Sequence, residues 1–220
     1  MSRPSVALFD LDGTLIDTAP NFIRCLNMIR ARYNLPSLPH QRIRRHVSDG
    51  AKAMIRVGFD LLPEDDDYFD RHAEFLDLYE SEIAVETRLF PGMDKVLQWL
   101  EGQGVPWGIV TNKPRRFTVP LLAALDLAER CDAVVCPDDV DYRKPHPEPL
   151  LLGAHLAKAN PEGGVYVGDH QRDIESGRRA GMTTIAARYG YIAEPADVPS
   201  WEADVTIDSA RELLAWLEQG

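Results

Sequence analysis

The chain has 220 residues, with 24 Lys and Arg against 35 Asp and Glu and a formal net charge of −11. At roughly 100–200 residues per domain, that length fits one large domain, or one domain carrying a smaller insert. With 45% hydrophobic and 27% charged residues the composition is globular, which excludes a disordered tail, a coiled coil and a collagen. The acidic excess argues against a nucleic-acid partner, whose footprint is a basic patch or stripe. It does not exclude an anionic substrate, because a local site can oppose the global charge.

The first apolar run, Val6-Ala7-Leu8-Phe9, is cut by Asp10. It is too short for a signal-peptide core, and no apolar stretch approaches the ~18 residues of a membrane span. A soluble, cytoplasmic protein without a membrane partner is expected, as a monomer or homodimer.

From about Leu15 to Phe90 the sequence carries helical spacing and no strand pattern. Phe22, Leu26, Ile29 and Tyr33 recur at i, i+4, i+7 and i+11, and Tyr68, His72, Phe75 and Tyr79 repeat that spacing. Pro36, Pro39 and Pro63 punctuate these stretches. The acidic run Glu64–Asp67 reads as a solvated helix start.

After Pro91-Gly92, Met93, Val96, Leu97 and Leu100 define one helix face. Short apolar runs then follow at Trp107–Val110, Ala133–Cys136, Val165–Val167, Thr183–Ala186 and, more weakly, Asp204–Ile207. Runs of this length suit strands buried on both faces of a parallel sheet. Alternating with amphipathic stretches, they predict a doubly wound, mostly parallel α/β fold. Ser209-Ala210-Arg211-Glu212 is a capping-box pattern opening the last helix. The core is therefore expected over residues 1–15 and 91–220, with a helical insert over 16–90. Cys25, Cys131 and Cys136 are too few and scattered for a disulfide framework or zinc site and read as small buried hydrophobes.

Polar clusters sit where strands end: Asp10-Leu11-Asp12-Gly13-Thr14, Thr111-Asn112-Lys113, and Gly168-Asp169 with Asp173 four residues on. Each alone has an ordinary explanation. Asp12-Gly13 makes a turn, Thr111 caps a helix, Gly168-Asp169 joins a strand to a helix, and Lys144 reads as a surface lysine. Together they converge, because ligands bind outside the carboxyl ends of strands in open α/β sheets. If Asp10, Asp12, Asp169 and Asp173 meet there, they must protonate or hold a cation. At ~4 Å and an effective dielectric near 20, two carboxylates repel by about 4 kcal/mol. An all-oxygen set favours Mg²⁺ over Zn²⁺, and Mg²⁺ pairs one or two carboxylates with a substrate phosphate.

The ordered set Asp10-Leu11-Asp12-Gly13-Thr14-Leu15, Thr111-Asn112, Lys144-Pro145 and Gly168-Asp169-x-x-x-Asp173 resembles the four motifs of the haloacid dehalogenase-like hydrolases, across essentially the whole chain. The insert after the first motif resembles that family's C1 cap. The resemblance implies a Rossmann-like core and these roles. Asp10 is a nucleophile forming an aspartyl-phosphate, and Asp12 a general acid and then base. Thr111 and Asn112 bind phosphate oxygens, and Lys144 both binds phosphate and balances charge. Asp169, Asp10 and the backbone carbonyl of Asp12 ligate Mg²⁺, and Asp173 supports it directly or through water. An acid at position 12 is the pattern of the family's phosphatases and phosphomutases. His170 departs from the pattern, standing where that family often has Asp.

Longer strings, among them Val110–Phe117, Lys144–Leu150, Arg172–Arg178 and Arg188–Ile192, resemble the phosphoglycolate phosphatase-like group. Within it, they are similar to a branch acting on N-acetylmuramic acid 6-phosphate. A small carboxylated phosphate ester is thus the expected substrate. A β-phosphoglucomutase-like phosphomutase, or a non-catalytic binding protein on the same fold, is the alternative. Arg45, His46, Ser48 and Lys52 fall where the resemblance puts a substrate-specificity loop. Segments near Thr14–Pro20 and Leu89–Gly92 are the expected hinges.

Overall fold

A computed structural model describes residues 3–219. Six strands, β1 (Ala7–Phe9), β4 (Trp107–Val110), β5 (Ala133–Val135), β6 (Val165–Gly168), β7 (Thr183–Ala187) and β8 (Val205–Ile207), form one parallel sheet in the order β5-β4-β1-β6-β7-β8. Ala7 sits level with Trp107 on one side and Val165 on the other, so β1 is the central strand. From β1 the chain builds outward through β4 and β5, then crosses to β6, β7 and β8. The carboxyl ends of β1, β4 and β6 therefore flank the switch point of a doubly wound sheet.

The continuous apolar runs arise because both sheet faces are covered. Ala7 and Phe9 face the layer of α5 (Met93–Gln103), α6 (Arg115–Ala124) and α9 (Ala210–Glu218). Val6 and Leu8 face α7 (Glu148–Leu156), with Leu150 and Ala154 packed beneath Val110 and Tyr166. The fifth helix of this core, α8 (Gln171–Arg179), follows β6 directly. Met93, Val96, Leu97 and Leu100 are all buried. Ser209 caps α9 by accepting from the Glu212 N–H, whereas the Glu212 carboxylate accepts from Asp208 N–H, one residue before the position that the capping box requires.

Between β1 and β4 lie α1 (Ala19–Arg32), α2 (His40–Arg44), α3 (Gly50–Phe59) and α4 (Tyr68–Ser81). Two two-residue strands absent from the sequence reading, β2 (Ile16–Asp17) and β3 (Arg88–Leu89), pair antiparallel where the chain leaves and rejoins the core. Two residues are too few to carry an alternation signal, so this ribbon is created by the meeting of the two crossings. Phe22, Leu26 and Ile29 are buried, but Tyr33 ends α1 and is exposed against Phe59. On α4, Tyr68, Phe75 and Tyr79 are buried, and His72 is half-buried, stacked on Tyr68. One hydrophobic cluster runs from Phe9 and Leu15 into Phe22, Phe75 and Tyr79, joining the helical segment to the sheet. No described helix is long and apolar enough to cross a membrane.

Candidate active site

The first strand-end loop is built around a tight contact. Gly13 has φ +86°, and a Cβ there would lie 2.2 Å from Asp169 Oδ2; a Cβ on Gly190 would lie 2.3 Å from Asp169 Cβ. Only glycine permits both the left-handed conformation and this approach of the β1 and β6 loops. Asp169 Oδ2 then accepts from Tyr191 N–H at 2.8 Å and from the Ser48 hydroxyl at 3.1 Å, and Oδ1 accepts from the Thr14 hydroxyl at 3.2 Å.

Asp173 sits in the first turn of α8, where its Oδ2 accepts from His170 N–H while His170 Nδ1 accepts from Arg172 N–H. This reciprocal cap, together with the dipole at the helix start, fixes a fully buried carboxylate. Lys144, also fully buried, lies 2.9 Å from Asp10 Oδ1 and 2.8 Å from Asp173 Oδ1. It donates to the carbonyl of Val110 and meets the Tyr166 hydroxyl, which itself donates to the same carbonyl. The lysine that reads as a surface residue in isolation is thus the charge at the centre of the site.

Asp10, Asp169 and Asp173 each offer a carboxylate oxygen, and these lie within 4.8 Å of one another. Burial, and then the charge of Asp173, raise the Asp10 carboxyl despite the opposing lysine. Burial, followed by the charges of Asp10 and Asp173, pushes Asp169 up to about 8. Burial works against the Lys144 charge, but Asp10 and Asp173 outweigh it and raise its pKa. One ammonium cannot neutralise three buried carboxylates. The donor set is all oxygen, compact and short of positive charge, so it fits a hard divalent cation such as Mg²⁺.

Asp12 does not join this cluster. Its carboxylate faces Lys113, with Nζ 3.2 Å from each oxygen, and accepts from the Thr18 hydroxyl at 2.6 Å. The expectation of four carboxylates meeting in one crevice is corrected to three plus a separate Asp12–Lys113 pair. The Lys113 ammonium, in the loop after β4, holds Asp12 aside in a pair of its own. Lys113 also contacts the Tyr79 hydroxyl at 2.9 Å and lies over the rings of Tyr79 and Phe22.

Thr111 is buried, its hydroxyl accepting from Lys113 N–H. Asn112 donates to the carbonyl of Lys144, while its Oδ1 is buried without a partner among the described residues. Both border a cavity of about 480 Å³ between the strand ends and the helical segment, whose floor includes Asp10, Asp12 and Lys144. Phe22, Phe75, Tyr79 and Phe117 form an aromatic wall, with centroids 4.5 Å apart for Phe22–Tyr79 and 5.7 Å for Tyr79–Phe117.

The four helical-segment candidates separate. Ser48 reaches Asp169 directly, and its carbonyl accepts from Arg172. Lys52 lines the main cavity. Arg45 lies instead on a smaller cavity of about 180 Å³ beside Asp169, His170 and Tyr191. His46 borders neither and is 3.8 Å from Asp49. The three cysteines are unpaired thiols; burial pushes Cys25 up to about 12 and Cys131 up to about 11 and raises Cys136, so they are poor nucleophiles.

The sequence placed Lys113 in a strand-end polar cluster without giving it a role, and assigned no polar role to Tyr166, Tyr79 or Arg172. Lys113 directly follows Thr111-Asn112, and its place in that string was the available signal. Tyr166 sits inside an apolar strand run, and nothing marks its hydroxyl as polar machinery.

The sequence matches the haloacid dehalogenase-like hydrolase family over residues 7–187. It is 45% identical over 218 residues to the N-acetylmuramic acid 6-phosphate phosphatase of Pseudomonas aeruginosa, covering 99% of this chain and 96% of that protein. It is 40% identical to a phosphoglycolate phosphatase of Xanthomonas campestris, covering 98% and 99% respectively. A solved structure from Haemophilus somnus, described as a predicted phosphoglycolate phosphatase, superposes with a TM-score of 0.84 at 25% identity, covering 98% of both chains. Matches of this extent, on a sheet whose central strand ends in the expected aspartates, lead to one assignment: the chain belongs to the haloacid dehalogenase-like hydrolase family, among its phosphatases.

Proposed function

We propose that the protein hydrolyses a phosphomonoester through an aspartyl-phosphate on Asp10. The observation that carries this reading is the strand-end constellation: Asp10 on the cavity floor, tied to a fully buried Lys144, with Asp12 held apart from it. In the first step, starting with Asp12 protonated, an Asp10 oxygen bonds to phosphorus as the ester P–O bond breaks, and Asp12 delivers that proton to the leaving oxygen and becomes the carboxylate that faces Lys113. In the second step Asp12 takes a proton from water as that water attacks phosphorus. The P–O bond to Asp10 breaks, freeing inorganic phosphate and restoring the carboxylate. Covalent catalysis divides one difficult step into two easier ones.

The residues are suited to these parts. Leu11 separates the two acids, so their environments and roles differ. Lys144 stands at the nucleophile and opposes charge on the transferring group, while Thr111 and Asn112 line the space for phosphate oxygens. Asp10, Asp169, Asp173 and the backbone carbonyl of Asp12 would hold Mg²⁺, which when bound supplies neutralisation of the phosphoryl charge. Tyr79 and Thr18 hold Lys113 and Asp12 in place.

Residues 16–90 act in this reading as a cap over a core of residues 1–15 and 91–220, moving about the β2–β3 ribbon to admit substrate and exclude water. The substrate class is a small carboxylated phosphate ester in the cytoplasm, either N-acetylmuramic acid 6-phosphate or 2-phosphoglycolate, the two esters named by the relatives. The cavity volume favours the sugar, since about 480 Å³ lies within the ~300–1,000 Å³ of pockets that enclose drug-sized ligands. Release of inorganic phosphate from p-nitrophenyl phosphate, with and without Mg²⁺, tests the reaction class. Metal-dependent release is expected, and no release with any divalent cation would refute it.

A further inference from the structure

An acidic chain has gathered unpaired positive charge around one cavity. Among the cationic residues lining it, Lys113 is paired with Asp12 and Lys144 with Asp10 and Asp173, Arg172 donates to the carbonyl of Ser48, and Arg143, in the loop leading into Lys144, is exposed with no carboxylate partner among the described residues. Lys52 on α3 and Arg116 in the first turn of α6 have no carboxylate partner among the described residues, and both are solvent-exposed. Among the acids in the lining, Asp10 and Asp12 are engaged by lysines, and Asp49 is exposed, 3.8 and 3.9 Å from the His46 and His170 rings, so the lining holds six Lys and Arg against three Asp. In a chain of net charge −11, such an arrangement creates a locally positive rim inside a negative field.

This rim is electrostatically distinct from the strand-end site. His72, half-buried between the two cations, has its pKa lowered by burial first and then by the charges of Lys52 and Arg116. The leading charges that act on Asp10 are Lys144, Asp173 and Arg172. The aromatic wall of Phe22, Phe75, Tyr79 and Phe117 lines the same cavity. A ligand that satisfies all of it carries a phosphate at the strand ends, a body with apolar surface, and a second anion.

We propose that Lys52 and Arg116 form a second anion subsite where α3 and α6 converge on the cavity, reading a carboxylate carried by the body of a phosphorylated substrate. This rests on the phosphatase reading for the phosphate end only. Arg116 supplies a planar fork that matches a carboxylate in two hydrogen bonds, and Lys52 supplies a mobile point charge. Because the two belong to the core and to the helical segment respectively, a bridging carboxylate would also hold the segment closed over the substrate.

The test compares two phosphorylated amino sugars differing by one carboxylate: N-acetylmuramic acid 6-phosphate and N-acetylglucosamine 6-phosphate, which lacks the lactyl group. Their Kd values are measured by calorimetry in Mg²⁺ on the Asp10→Asn protein, which removes the nucleophile and so isolates binding. The subsite predicts at least tenfold tighter binding of the acid, about 1.4 kcal/mol. Adding Lys52→Ala and Arg116→Ala together should bring the two Kd values to within about threefold, with Arg116→Lys restoring part of the preference. Both side chains are exposed, so the fold has no need of them. Equal affinity in the parent, or an undiminished preference in the double variant, would overturn the proposal. Wild-type protein inert towards p-nitrophenyl phosphate would refute the phosphatase reading instead, while the ratio of the two Kd values would still decide the subsite.

Discussion

The two sides of the cavity are built on opposite electrostatic plans. At the strand ends, charges are buried and each is held by specific partners: Lys144 between Asp10 and Asp173, Lys113 against Asp12, and Asp169 among three neutral donors, which leaves three carboxylates sharing one ammonium. Where α1, α3, α4 and α6 face the cavity, the wall is aromatic and the cations Lys52 and Arg116 are exposed, with no carboxylate partner among the described residues. Buried paired charges cost several kcal/mol each to desolvate and tolerate little displacement. Exposed charges cost little and wait for a partner. In the proposed reading the strand ends carry the chemistry, and the helix-lined wall, drawn from both the inserted segment and α6, selects the ester.

The largest effect that tests this contrast is on turnover. Asp10→Asn should lower phosphate release by ~10⁴-fold or more, as loss of a nucleophile does, while circular dichroism stays native. A variant with near wild-type rates would remove Asp10 from the role proposed for it. Lys144→Met comes next. It strands Asp10 and Asp173 as buried like charges, and removing one partner of such a set costs about 3–5 kcal/mol. Urea unfolding of the metal-free protein should register that loss, and Mg²⁺ should recover part of it.

A third effect separates the two sides by pH. The Asp169 carboxyl is pushed up to about 8 in the absence of metal, against about 3.9 in the unfolded chain. Between these values the folded protein binds more protons than the unfolded one, so metal-free stability should fall as pH rises from about 4 to about 8. Saturating Mg²⁺ should flatten that slope, because a cation among Asp10, Asp169 and Asp173 favours their ionised forms. Tm measured against pH in chelator and in Mg²⁺ checks both statements, and a slope that persists unchanged in Mg²⁺ would contradict the assignment of the metal to this cluster. The smallest effect is expected for Tyr79→Phe, which keeps the ring stack and loses one hydrogen bond to Lys113. About 0.5–1.5 kcal/mol, read as a reduction in kcat/KM of no more than roughly tenfold, is the range for such a bond.

The sheet was legible because each strand is a short apolar run ended by a polar residue, and β1 with the Val6 that precedes it, Val6 and Leu8 packing on one side and Ala7 and Phe9 on the other, has no solvent side to interrupt it. The convergence of Asp10, Asp169 and Asp173 was legible because parallel strands place their carboxyl ends together. The direction of the Asp12 side chain was not, since it depends on Lys113, which adjoins it only in three dimensions. The β2–β3 ribbon was too short to leave a pattern. The polar work of Tyr166 was hidden inside an apolar strand. The approach of Ser48 to Asp169 depends on how two segments 121 residues apart pack, which periodicity does not encode.

In the proposed reading the strand ends set the reaction and the helix-lined wall sets the substrate. The direct measurement is kcat/KM for phosphate release from N-acetylmuramic acid 6-phosphate and 2-phosphoglycolate, side by side in Mg²⁺. A preference of at least tenfold for the sugar, about 1.4 kcal/mol in transition-state binding, is the predicted result. Equal rates, or a preference for the two-carbon acid, would contradict it.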